Sequence, residues 1–200
     1  MKRLLLIVLP LLLIVGCSSP EPINYEETLN ERDGVFYTKD TNKPYSGPVF
    51  SLYDDGKKKE EGTYKDGKED GLWTYWYENG EKKSEGTYKD GELNGLWTDW
   101  YENGQKWYEL TNKDGKQDGL ETEWYENGQK KSEITYKDGK KDGKWTHWRE
   151  NGEKKSEGTY KDGELNGLWT DWYENGQKGD EGTYKDGKLD GLWTYWDENG

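Results

Sequence analysis

Residues 85–106 read EGTYKDGELNGLWTDWYENGQK, and variants of this stretch return every 24 residues from Lys59 to the end of the sequence. Asp-Gly falls at 66–67 and at each step of 24 as far as 186–187; Asn-Gly falls at 79–80 and at each step as far as 199–200. A further Asp-Gly or Asn-Gly sits at 70–71 and recurs with the same period. Asn and Asp tolerate positive φ and Gly adopts it without steric cost, so these dipeptides are read as tight reversals between strands. Between them lie Glu61-Gly62-Thr63-Tyr64 and Leu72-Trp73-Thr74-Tyr75-Trp76-Tyr77. Such runs are rich in β-branched and aromatic residues and too short to be stable helices. Each repeat is therefore predicted to be a β-hairpin, and turns at both ends of every strand make the hairpins one antiparallel meander.

The fold class that follows is all-β: an elongated, twisted rod of 24-residue hairpins in which each unit touches mainly its neighbours. Alternation places Trp73, Tyr75 and Tyr77 on one face and Leu72, Thr74 and Trp76 on the other. Either a bulge brings the two indoles of a repeat together or each face carries its own aromatic ladder. Gly62 is expected to make room for a neighbouring ring.

Composition explains why aromatic residues must stabilise this chain. Beyond residue 16 only 17 of 184 residues are Leu, Ile, Val or Phe, and the net charge is −13, a combination that alone points to disorder. The same stretch carries 12 Trp and 16 Tyr, large rings that bury much area while keeping a polar edge toward water.

The repeats are preceded by other material. Lys2 and Arg3, then the apolar run Leu4–Val15, then Ile14-Val15-Gly16-Cys17 resemble a bacterial lipoprotein signal. The resemblance implies that residues 1–16 are removed and that Cys17, the lone cysteine, is lipidated, which anchors the chain in the cell envelope (in a Gram-negative cell, Ser18 after the cysteine is compatible with the outer membrane). Residues 17–34 are polar with Pro20 and Pro22 and are read as a flexible tether. The repeat domain is assigned to residues 35–200, one degenerate copy with Gly47, Val49, Leu52 and Gly56 in register, then six regular copies.

The Tyr-Lys-Asp-Gly, Gly-Leu-Trp-Thr and Trp-Tyr-Glu-Asn-Gly signatures, as in Tyr88–Gly91, Gly95–Thr98 and Trp100–Gly104, resemble the MORN repeat variant found in YwqK-family antitoxins of bacterial toxin-antitoxin systems. Pro44-Tyr45-Ser46-Gly47 looks like that family's usual entry. The resemblance implies a scaffold that binds a protein partner, a toxin among the candidates. The outward-directing signal departs from the cytoplasmic setting of such antitoxins.

No constellation for catalysis stands out, and neither a cofactor nor a metal is expected. His147, the only histidine, occupies a slot filled elsewhere by Tyr75, Asp99, Glu123, Asp171 and Tyr195, which reads as solvated surface. The Asp-Gly spacing lacks the alternating carboxylates of a calcium loop. The acidic balance disfavours nucleic acid. Three classes of function are left: a non-catalytic protein-binding lipoprotein of the envelope, a glycan- or choline-binding envelope module that uses its rings, and, least favoured by these residues, an enzyme.

Two irregularities carry further information. Residues 78–106 are identical to 150–178, the mark of a duplicated 72-residue block. In the copy between them Trp107 and Tyr108 replace polar residues, Leu110 replaces glycine, and Glu121 replaces tryptophan, with Glu123 two residues on. Unique surface can select a partner, so Trp107, Tyr108, Leu110, Glu121 and Glu123 are the predicted partner-binding residues. The alternative for Trp107 is that it fills the space vacated at 121.

Overall fold

A computed structural model describes residues 20–199. The predicted signal peptide and Cys17 lie outside the described residues. From Gly47 to Tyr195 the chain is one open antiparallel meander, the first strand Gly47–Leu52 pairing with Lys58–Lys65 and the last, Lys188–Tyr195, pairing with Lys178–Lys185. The fold class read from the repeat is the one observed.

The two kinds of turn differ in chemistry. At the Asp-Gly turns both central residues have positive φ, 51° at Asp66 and 79° at Gly67, and Lys65 pairs directly with Lys68, a two-residue loop of type I′. At the Asn-Gly turns only the glycine is left-handed, 90° at Gly80. Tyr77 N–H donates to the Glu81 carbonyl at 2.9 Å, and the Asn79 side-chain oxygen accepts from Glu81 N–H at 2.8 Å. This is a three-residue loop with a left-handed glycine at its close.

The dipeptides at 70–71 and its equivalents are not reversals. Gly71 has φ 88°, but the chain continues along the same strand line, from Lys68–Glu69 into Gly71–Trp76, while Asp70 N–H still donates to the Thr63 carbonyl at 2.9 Å. Positive φ here serves a β-bulge, which a glycine permits as readily as it permits a turn. The first strand of a repeat is accordingly longer than predicted, eight residues over Lys58–Lys65 rather than four.

Register fixes the faces. Trp73 pairs with Gly86 and Tyr75 with Ser84, so these share a glycine face; Leu72, Thr74 and Glu85 share the opposite, threonine face. Gly62, Gly86, Gly158 and Gly182 each lie under an indole, where an added Cβ would come within 1.9 to 2.4 Å of a ring atom. Trp73 contacts Tyr64, Tyr75 and Tyr88 on the glycine face, while Trp76 lies beneath the Lys58 ammonium at 5.2 Å. The two indoles of a repeat thus belong to separate aromatic sets.

Successive repeats are stitched at both ends. At one end the hydroxyls of Tyr53, Tyr77, Tyr101, Tyr125 and Tyr173 donate to the tryptophan carbonyl 23 residues on, at 2.6 to 2.8 Å, and Arg149 makes the same bond to Trp172 where tyrosine is absent. At the other end each Asp-Gly glycine N–H from Gly67 to Gly187 donates to a carbonyl of the preceding repeat at 2.7 to 3.1 Å. These bonds satisfy loop donors that an isolated hairpin would leave to water.

The N-terminal boundary differs from expectation. Ile23–Asn24 runs parallel to Val49–Phe50, the short helix Tyr25–Thr28 follows, and Leu29–Arg32 pairs with Val35–Thr38 in a separate two-stranded sheet. Residues 23–34 are therefore folded, not tether, and Val35–Thr38 belongs to a cap rather than to the first repeat. Tyr25, Leu29 and Phe36 explain this, because they pack on Val49, Tyr64 and Trp73 as the main core cluster. Tyr25 also donates to Glu60, which accepts from Ser51 at 2.9 Å. Burial, reinforced by Glu60, pushes the Tyr25 hydroxyl well above its ordinary range. A terminal unit that covers the first hairpins meets the need of a repeat array for an end cap.

Candidate partner-binding site

In an ordinary repeat each column has a settled task. Lys83 lies over the Tyr77 ring at 5.7 Å, Ser84 donates to Asp99, Gly86 lies under Trp97, and Trp97 Nε1 donates to Asp99 at 2.9 Å. On the threonine face Lys82 pairs with Glu85 at 2.6 Å and covers the Trp100 ring at 5.2 Å, a unit repeated at Lys58, Lys106, Lys154 and Lys178. On that face the chain's own ammonium groups thus occupy the ring positions that a choline headgroup would take.

Between residues 107 and 134 these tasks are reassigned. Trp107 takes the lysine column and packs on Tyr101 at 6.3 Å and on Tyr108 at 5.5 Å, while remaining 39% exposed. It does not fill the space at position 121. Tyr108 takes the serine column, and its hydroxyl donates to Glu121 at 2.9 Å. Burial raises both groups: the Tyr108 hydroxyl titrates well above its usual range, with Glu121 adding to the effect, and the Glu121 carboxyl rises although the tyrosine bond opposes it. Glu123 pairs with Lys131 at 3.0 Å.

Leu110 departs from the expected role. It is only 6% exposed, set between Trp97 and Glu121 on its two neighbouring strands, so it packs the sheet and presents no contact surface. Its counterpart on the far side of Glu121 is Ile134, 1% exposed, in the next glycine column. Two aliphatic side chains therefore flank the position that lost its indole, a volume exchange of the kind cores accept.

Ile134, Lys131 and His147 were missed by sequence reasoning. The signal for Ile134 was available, since it breaks the same column as Leu110. His147 is not solvated surface: it is half-buried, pairs across the strands with Ser132 and Ser156, and lies 5.9 Å from Trp145. Burial, then the charges of Lys155 and Lys131, holds its imidazole below the usual range. Tyr108, Glu121 and Glu123 are thus brought together with His147 on the glycine face, whereas Trp107 flanks them toward the Asn-Gly end. Among the described residues no group of three or more His, Cys, Asp or Glu side chains converges as a metal site.

A comparison with curated proteins returns no match. The sequence profile of the MORN repeat variant matches six tandem segments, residues 45–66, 69–90, 93–114, 117–138, 141–162 and 165–186. Each of the last five matches enters in or just before the Trp-bearing strand, crosses the Asn-Gly loop and ends at or near the Asp-Gly turn, and the first takes in the degenerate copy with Asp55-Gly56 at its loop. With more than half of its length so matched, the chain belongs to the MORN repeat variant family.

Proposed function

We propose that this MORN-variant chain is a non-catalytic, protein-binding scaffold, held at the outer side of a bacterial membrane by lipid on Cys17, with a partner seated on the departures around residues 107–123. The single observation that carries the binding reading is the exposed Trp107, packed on Tyr101 and Tyr108 in the one copy where an aromatic pair replaces the polar residues of these two columns. Repeated surface offers the same contacts at every step, whereas an aromatic anchor at one step gives a partner a register. The resemblance to YwqK-family antitoxins makes a toxin one candidate partner, and an envelope setting favours a secreted one.

Capture from the native envelope with the lipidated protein tests the reading. Replacing Trp107 by Lys and Tyr108 by Ser, the commonest residues of those columns, is expected to weaken binding by about 2 kcal/mol or more, with little change in melting temperature for the Trp107 replacement alone, since Tyr108→Ser also removes the bond to Glu121. Lower stability with unchanged affinity would instead make the pair a packing feature. The anchor is tested separately: Cys17→Ala should abolish incorporation of a fatty-acid label and release the chain from membranes.

A further inference from the structure

Among the described residues, ring contacts link Tyr25 through to Trp97 and Trp145 through to Tyr195, and none joins the two runs. The gap has a structural cause. In the copies with glycine at the Gly62 column, the indole lies down on the glycine backbone. Position 134 carries isoleucine, so the Trp145 ring cannot lie there; it stacks instead on Trp169, with centroids 5.1 Å apart and planes 15° from parallel. A solvent-open cavity of about 240 Å³ is left between Glu121, Ile134 and Trp145, with Glu123, Lys131 and His147 on its rim. That volume is below the range of drug-sized ligand pockets and suits one side chain.

The neighbouring repeats show what such a place accepts. Trp97 Nε1 donates to Asp99 at 2.9 Å and Trp169 Nε1 to Asp171 at 2.5 Å, each a carboxylate two residues on. Glu123 holds that carboxylate column without an indole two residues before it. Glu121 accepts a hydrogen bond from Tyr108 alone among the described residues, and a carboxylate has room for more. The two carboxylates and two lysines of the lining balance, with Lys131 already paired to Glu123, so the notch has no net charge to draw in a cationic side chain and a neutral N–H donor is enough for Glu121.

We propose that this notch receives one indole side chain displayed by a protein partner, its ring against Ile134 and Trp145 and its N–H donated to Glu121. The proposal rests on the protein-binding reading above and names the chemistry of the partner's anchor. A partner lacking an exposed tryptophan would not use the notch.

The chain contains one histidine, so the His147 imidazole gives resolved proton NMR signals that report on the notch wall. The full chain is titrated with N-acetyl-L-tryptophanamide and, in parallel, with the phenylalanine and lysine counterparts. Saturable displacement of the His147 signals by the tryptophan probe is expected, with the phenylalanine probe about tenfold weaker, which corresponds to about 1.4 kcal/mol. Glu121→Leu keeps an apolar wall and should remove that preference; Ile134→Gly should let Trp145 fall back and abolish the response. No saturable displacement, or an equal response to all three probes, overturns the proposal. If the probe binds but an envelope partner binds wild type and Glu121→Leu alike, use of the notch by that partner is overturned while the protein-binding function stands. If the probe binds and no partner is captured at all, the indole site stands and the protein-binding reading fails.

Discussion

Residues 78–106 and 150–178 have the same sequence and different surroundings. Their local structure agrees: Lys82–Lys89 and Lys154–Lys161 are equivalent strands, the Asp-Gly turns at 90–91 and 162–163 have both residues at positive φ, and Thr98 and Thr170 are buried alike. The packing does not agree. Trp97 meets Tyr88 edge-on at 6.2 Å and Tyr75 at 5.9 Å, whereas Trp169 stacks on Trp145. Beyond the identical stretch, Asp99 faces Tyr108 and Asp171 faces Asp180. Strand, turn and bulge are therefore encoded within a repeat, while ring geometry and electrostatics are set by the repeats on either side.

The largest effect should come from removing the ring that differs. Trp97→Ala and Trp169→Ala are each expected to cost about 3–5 kcal/mol in denaturant melts, since both indoles lie on a glycine with aromatic neighbours. The two should separate spectroscopically. Trp145 and Trp169 make the one indole–indole contact among the described ring pairs, and their coupling is expected to add an excitonic contribution to the circular dichroism that Trp169→Ala abolishes and Trp97→Ala leaves intact.

A smaller effect is expected where like charges meet. Asp180 stands in the column of Ser84 and Ser156, directly across from Asp171; burial first, then Asp171, raises its carboxyl above the ordinary value. A folded-state value above the unfolded one means that the native chain binds the proton more tightly. The carboxyl's cost is thus absent at pH below the unfolded value, grows as pH rises toward the folded one, and persists above it. Asp180→Ser should stabilise the chain near neutral pH by about 0.5 kcal/mol, with the gain fading in acid, as read from melts across a pH series.

Much of this was legible in the sequence. Periodic Asp-Gly and Asn-Gly defined the hairpins, and the small residue at the Gly62 column correctly implied a ring above it. The bulge at 70–71 was not separable from a turn, because both need the same left-handed glycine. The cap was hidden because Tyr25, Leu29 and Phe36 are isolated apolar residues in a polar segment, and no periodicity links them until Tyr64 and Trp73 are folded beside them. At the candidate site, reading along the chain singled out Glu121 and Leu110, and Ile134 was readable as a second break in the glycine column, but that these two aliphatic side chains flank Glu121 emerges only when strands are placed side by side. The same limit made His147 look like surface.

The most direct test of repeat autonomy with neighbour-set packing is deletion of residues 79–150, which joins Glu78 to Asn151 without changing local sequence because the two blocks are identical. Six strand positions are lost, so small-angle scattering should show a folded particle shorter by about 30 Å. Far-UV circular dichroism should keep its β-sheet signature, and because Trp145 leaves with the deleted block, the Trp169 ring should show the side-chain nuclear Overhauser contacts to Tyr75 that Trp97 makes in the full chain. Loss of the β-sheet signature, or a Trp169 ring that makes no contact with Tyr75, would contradict the assignment of local structure to the repeat and of packing to its neighbours.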